Sequence, residues 1–201
     1  YPCPSARQMT TMAYDPPRSY HVLFGGQSSG RLSLNDTFTF AAGRWTARDP
    51  AAKPSARDRA AATFVPGNVN KVVLFGGQQA WVTALCDMWA WTGSTWEPIS
   101  ASNQGPCLHS HDMAWDGNRL IVTGGYVDTN DTPSHDKWYF DFVSASSGTW
   151  TKDPDLAGCY AAVHPGARMA YDIPSRKKVF FGGEENGPGG VIRYGDTTLC
   201  D

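Results

Sequence analysis

The chain has 201 residues, 41% of them hydrophobic, with 8 Trp, 21 Gly and 14 Pro. That composition suffices for a buried core and is too rich in Gly and Pro for a helical bundle. The formal net charge of −2 brings no basic stripe to release counterions, which argues against a dedicated nucleic-acid binder, and no apolar run approaches the ~18 residues of a membrane span.

Four copies of one pattern follow in chain order. Each holds an apolar run ending in a Gly pair: His21–Gly26, Lys71–Gly77, Arg119–Gly125 and Lys177–Gly183. The pairs start at 25, 76, 124 and 182, giving spacings of 51, 48 and 58. A period near fifty built from strand-length units predicts stacked β-blades rather than one folded core. The first strand of each copy follows a Pro-x-x-Arg opening at Pro4–Arg7, Pro54–Arg57, Pro106–His109 and Pro165–Arg168. It runs to an aromatic residue: Tyr14, Phe64, Trp115 or Tyr171. A Pro/Gly/Asn turn leads to the second strand, which ends at the Gly pair because the backbone must turn sharply there. An Asp-led third strand follows at Asp36–Phe40, Asp87–Trp91 and Asp136–Phe140, and a Gly turn precedes the Trp of the fourth, at Trp45, Trp96 and Trp150. In the last copy Thr198–Asp201 matches Ala84–Asp87, so the third strand is expected to begin where the chain stops.

This pattern resembles the kelch repeat in the form common in secreted bacterial proteins: an R…AYD opening, a VVLFGG run, then DTW and a final Trp. The resemblance covers essentially the whole chain. It implies an all-β kelch-type β-propeller in one domain, residues 1–201, with repeats at about 4–53, 54–105, 106–164 and an incomplete 165–201. Either the ring is small or the chain is a fragment of a larger propeller. The remaining Trp residues are expected to pack between blades.

In a propeller blade the loop before the first strand and the loop after the second emerge on one face. Cys86 and Cys107 both belong to that face on neighbouring blades, so a Cys86–Cys107 disulfide is expected. Cys200 is read in the place of Cys86, and Cys3 follows Pro2 as Cys107 follows Pro106, which predicts a Cys3–Cys200 clasp if the ring closes. Reduced, buried thiols are the competing reading. Cys159 is left without a partner. Two disulfides imply an oxidising, secreted setting, and the opening Tyr1-Pro2-Cys3 reads as a mature or trimmed product.

The Pro-x-x-Arg slot gives Arg7, Arg57, His109 and Arg168 near the channel mouth, where a ring of guanidinium groups would suit a carboxylate, sulfate or phosphate. The competing reading is that each Arg staples its own surroundings. After the Gly pairs stand Gln27, Gln78, Tyr126 and Glu184, followed by loops that differ between copies. Trp81 and Tyr126 stand in such polar loops, where an aromatic ring could stack on a sugar or a peptide side chain. Cys107-x-His109-x-His111 alternates as metal ligands on a strand would, yet Cys107 is already assigned a disulfide. Asp128-x-Asn130-Asp131 resembles a calcium loop without its Gly and distal Glu.

The expected function is a non-catalytic extracellular binding module for a glycan or protein at this loop face, with no cofactor or metal assigned. The alternatives are a galactose-oxidase-like metalloenzyme on the same scaffold, whose ligands cannot be matched here residue by residue, and a structural part of a larger assembly. Self-association through an open fourth blade is the further expectation.

Overall fold

The computed structural model describes residues 3–128, 130–154, 164–172, 174–187 and 190–200. Each repeat folds as an antiparallel sheet, as its alternating strand-length runs require. In blade 1 the strands run from inner to outer as Thr11–Asp15, Tyr20–Phe24, Thr37–Ala41 and Arg44–Arg48. Blade 2 repeats this with Ala61–Val65, Lys71–Phe75, Met88–Trp91 and Trp96–Ala101. Blade 3 does so with Asp112–Trp115, Leu120–Thr123, Lys137–Ser144 and Ser147–Lys152. Blade 4 has Arg168–Asp172, Lys177–Phe181 and Thr197–Cys200.

Two expectations are corrected by strand register. The third strand of blade 4 is present. Thr197 pairs with Phe181 as Thr37 pairs with Phe24, so Asp196 and not Asp201 leads it. Cys200 therefore pairs with Lys178, at the end of the strand away from the Gly pair, and does not stand in the place of Cys86. The symmetry behind a Cys3–Cys200 clasp is lost, and the Cys200 side chain lies outside the described residues, as does Cys159. Blades 2 and 3 also share one continuous sheet, through parallel pairing of Ser100 with Ser147 and Ala101 with Gly148 on their outer strands.

Period-2 alternation gives each blade a leading face, turned to the next blade, and a trailing face. The leading face of blade 1 (Ala13, Val22, Phe24) packs on the trailing face of blade 2 (Val72, Leu74, Trp91, Trp96). The leading face of blade 2 (Val73, Phe75, Met88, Ile99) packs on Met113, Leu120, Phe140 and Trp150 of blade 3. Ala114, Ile121 and Tyr139 of blade 3 meet Met169 and Phe180 of blade 4. Trp91, Trp96 and Trp150 fill these seams, while Trp45 packs on Phe38 and Phe40 of its own blade: Phe24 meets Trp96 edge-on at 5.3 Å, and Trp91 Nε1 donates to the Tyr20 hydroxyl.

Both glycines of the second pair are needed. Gly76 and Gly77 have φ of 61° and 99°, a region costly for residues with a side chain. A Cβ on Gly76 would also lie 2.5 Å from the Leu108 carbonyl oxygen. That close approach lets the Gly77 N–H donate to the Leu108 carbonyl of blade 3, as Gly26 donates to that of Arg57 one seam earlier.

Nearest the axis, the inner strands are tied by a run of backbone bonds. Arg59 N–H donates to Met9 O, Ser110 N–H to Arg59 O, and Gly166 N–H to Ser110 O, each at 2.9 Å. All four residues take positive φ, from 55° at Met9 and Ser110 to 75° at Gly166. The run stops at the Gly166 carbonyl on one side and the Met9 N–H on the other. Inside it the inner strands of all four blades line a central cavity of about 610 Å³.

Candidate functional site: the channel mouth

At the Gly-pair face lies a mouth of about 200 Å³, to which every blade contributes. Of the residues predicted for this face, the mouth gathers Tyr126, Arg168 and Glu184. It adds Met9, Arg59 and Ser110, which carry no sequence signal for binding, and Asp131 of the calcium-like loop.

Arg7 and Arg57 are not mouth ligands. Arg57 forks onto Asp87, with Nη1 2.6 Å from Oδ1 and Nη2 2.7 Å from Oδ2, and Nη1 also donates to the Gly76 carbonyl at 3.0 Å. Arg7 does the same to Asp36, at 2.6 and 2.8 Å, and to Gly25 O. Bidentate geometry of this kind uses up the planar fork. The slot thus ties the start of the inner strand to the Asp heading the third strand and to the Gly pair between them. Burial pushes the Asp87 carboxyl up, but Arg57 and the Trp89 indole N–H outweigh it and hold it below the usual carboxylate range.

Nor do His109 and Arg168 occupy this slot. The seam bond Gly77 N–H to Leu108 O matches Gly26 N–H to Arg57 O, so Leu108 stands where Arg57 does. Leu108 is fully buried, and Asp136 pairs with Lys152 at 2.8 Å instead. His109 falls one place later, matching Asp58 and Gln8: its backbone pairs with Tyr126, as Asp58 pairs with Gln78 and Gln8 with Gln27. Its buried Nε2–H donates to the Asp128 carbonyl at 3.0 Å, and burial keeps its pKa below the usual value. Arg168 lies on the inner strand of blade 4 with its side chain 75% exposed, 4.0 Å from Asp112.

Gln27 and Gln78 are buried between strands rather than displayed, and the Gln27 amide oxygen accepts from Gln8 Nε2 at 3.0 Å. Tyr126 is buried with its ring 5.4 Å from that of His109. Glu184 sits 3.4 Å from Arg193. Trp81 is exposed, and the Arg59 guanidinium lies over its ring at 4.3 Å.

Arg59 is the central addition. Its guanidinium carbon covers Trp81, its Nε lies 3.2 Å from the Met9 sulfur, and its carboxylate neighbours stand back at 3.7 Å (Asp58) and 3.9 Å (Asp131). Unlike Arg57, it has donors not committed to a close carboxylate. Asp131 is held at φ 54° in a loop folded by Asp128, whose carboxylate accepts from the N–H groups of Asn130 and Thr132 and from the Thr132 hydroxyl. Those bonds, Thr132 first, hold Asp128 below the usual carboxylate range.

The Cys86–Cys107 disulfide is formed and clamps the seam between blades 2 and 3 on this same face. Cys107 is thereby unavailable as a metal ligand. His111 lies fully buried, and burial, with His109 nearby, outweighs the Phe75 and Leu108 backbone groups that face its ring and pushes its pKa down to about 3. Among the described residues no group of three His, Cys, Asp or Glu is arranged to hold a metal ion. No helix is long and apolar enough to cross a membrane among them.

Residues 2–152 match the family described as the KLHDC2/KLHL20/DRC7 Kelch-repeats domain. Over 192 residues the chain is 30% identical to Multiple epidermal growth factor-like domains protein 8 of Rattus norvegicus, and equally to that of Mus musculus. The alignment covers 90% of this chain and 7% of each of those proteins.

Proposed function

We propose a function from one premise: this chain belongs to the kelch-repeat family. It is a protein-interaction module that works outside the cell and receives its partner at the Gly-pair face, over the channel mouth. The observation that carries this reading is the convergence of four repeats on one small cavity lined by Arg59, with an exposed Arg168 and an exposed Trp81 beside it. Arg and Trp are the residue types that dominate binding energy at protein interfaces. A protein partner is favoured over a glycan because Arg59 already covers one face of Trp81, leaving less of the ring for a sugar to stack on. The extracellular setting is supported by the Cys86–Cys107 bond and by relatives whose name records epidermal growth factor-like domains, a disulfide-dense class of secreted module.

The test is capture from conditioned medium followed by crosslinking and mass spectrometry. Arg168→Ala and Trp81→Ala should each reduce recovery of the crosslinked protein, while Val143→Ala, on the opposite face, should not. Equal recovery with all three variants would move the binding face elsewhere. Retention on a glycan array, lost only with Trp81→Ala, would return the glycan reading.

A further inference from the structure

The central cavity of about 610 Å³ reaches the face opposite the Gly pairs, where the turn residues Pro16 and Pro66 border it. By strand register Tyr14, Phe64, Trp115 and Tyr171 take one place in the four inner strands, and all of them line this cavity. The residue before each is small (Ala13, Thr63, Ala114 and Ala170), which leaves the room between the strands. Phe64, Trp115 and Tyr171 are half-buried, each packed into a seam between two blades. The wall at this end is therefore apolar and aromatic.

One carboxylate shares the cavity with that wall. Asp112, at the start of the blade 3 inner strand, lines it with its side chain 17% exposed. Three residues of strand, about 10 Å, separate it from Trp115. Its Oδ1 accepts the Met113 N–H at 2.9 Å, and its Oδ2 accepts the Met169 N–H of blade 4 at 2.6 Å. Each carboxylate oxygen keeps a second acceptor site. Among the described residues the one cation within reach is Arg168, 4.0 Å away with its own side chain 75% exposed. Register gives the same place to Thr11, Ala61 and Arg168 in the other blades, so an inner strand closes without a carboxylate there. Burial raises the Asp112 carboxyl, against the opposing pull of the Met169 and Met113 N–H groups and of Arg168. A cation brought into the cavity would relieve that cost.

We infer that the central cavity binds an amphiphilic amine, a small molecule with one ammonium group on an apolar or aromatic body. The ammonium donates to Asp112. The body lies along the strip of small residues and against Phe64, Trp115 and Tyr171. Those three rings and Asp112 all stand at seams between two blades, and none belongs to the outward face of blade 1 or blade 4. The site is separate from the channel mouth and does not depend on the partner proposed there.

The experiment is calorimetric titration of the whole chain with phenylbutylamine and with phenylbutanol, its neutral counterpart. The amine should bind at least roughly tenfold more tightly, since a hydrogen bond between charged partners outweighs a neutral one. Asp112→Asn and Asp112→Thr should each bring the amine down to the alcohol and leave the alcohol unchanged. Thr11 already holds this place in blade 1, so Asp112→Thr should keep the wild-type circular dichroism. Tyr171→Leu should weaken both probes alike. An amine that fails to saturate by roughly 10 mM would overturn the inference. So would equal binding of the two probes by the wild type, or a preference for the amine that survives both Asp112 variants. A preference lost with Asp131→Asn instead would place the ammonium at the channel mouth and overturn it as well.

Discussion

Removing the Cys86–Cys107 bond tests how the seam between blades 2 and 3 is held. The perturbation is the double variant Cys86→Ser/Cys107→Ser, compared with the wild type under reducing and non-reducing conditions. The bond spans 21 residues of sequence. Closing a loop of that size removes entropy from the unfolded chain worth roughly 3 kcal/mol at 25 °C. The folded seam has other ties at the same place. Leu108 N–H donates to Leu85 O, Leu85 N–H to Gly77 O, and Gly77 N–H to Leu108 O. The seam between blades 1 and 2 makes the same three bonds through Arg57, Leu34 and Gly26 with no disulfide. The loss should therefore fall on the unfolded state and leave the native blade intact. For a chain of this size 1 kcal/mol moves the midpoint by roughly 2–4 °C, so calorimetry should show the double variant melting roughly 6–12 °C lower with unchanged far-ultraviolet dichroism. Cys86 is exposed, so reductant should produce the same shift in the folded wild type. A midpoint that does not move, or a variant whose sheet signal collapses before heating, would refute the division between a self-sufficient seam and a constrained unfolded chain.

Two further outcomes follow from buried charge. Arg57→Lys should destabilise by about 2–3 kcal/mol in chemical denaturation, because an ammonium cannot serve both Asp87 oxygens and the Gly76 carbonyl; a loss under ~0.5 kcal/mol would show that the fork is not needed. His111 is held to about 3 when folded and titrates near 6.5 when unfolded. The unfolded chain thus takes up the proton first as pH falls, so stability is full above about 6.5 and declines toward 3, by up to about 5 kcal/mol if nothing else moves. His111→Leu should flatten the melting temperature between pH 6.5 and 4, and an unchanged slope in that variant would remove His111 as its source.

The architecture was legible because repeated constraints leave repeated residues. Gly pairs mark where positive φ and close seam contacts coincide, and Asp-led third strands mark where the Arg fork lands. The errors arose where one copy drifts from the others, and chain spacing already carried the warning. Arg7 and Arg57 precede their Gly pairs by 18 (25 − 7) and 19 (76 − 57) positions, His109 by 15 (124 − 109) and Arg168 by 14 (182 − 168). The structure puts Leu108, 16 positions before its Gly pair (124 − 108), in the third copy's place. Likewise Asp36 and Asp87 each follow their Gly pair by 11 positions, whereas Asp201 follows by 19 (201 − 182) and Asp196 by 14 (196 − 182).

The site itself was less legible, for a physical reason. A slot shared by several copies is the one the fold needs, and in blades 1 and 2 its guanidinium groups are spent on Asp36 and Asp87. The groups left for a partner belong to positions where copies disagree. Met9, Arg59, Ser110 and Gly166 occupy one structural place with four different side chains. Met9 and Arg59 each follow the slot arginine by two places, but for Ser110 and Gly166 only the common left-handed backbone and the bonds between them reveal the equivalence. In a repeat scaffold, periodicity thus points to what holds the blades, and the residues to test for binding are those at which an equivalent backbone position carries a different side chain in every copy.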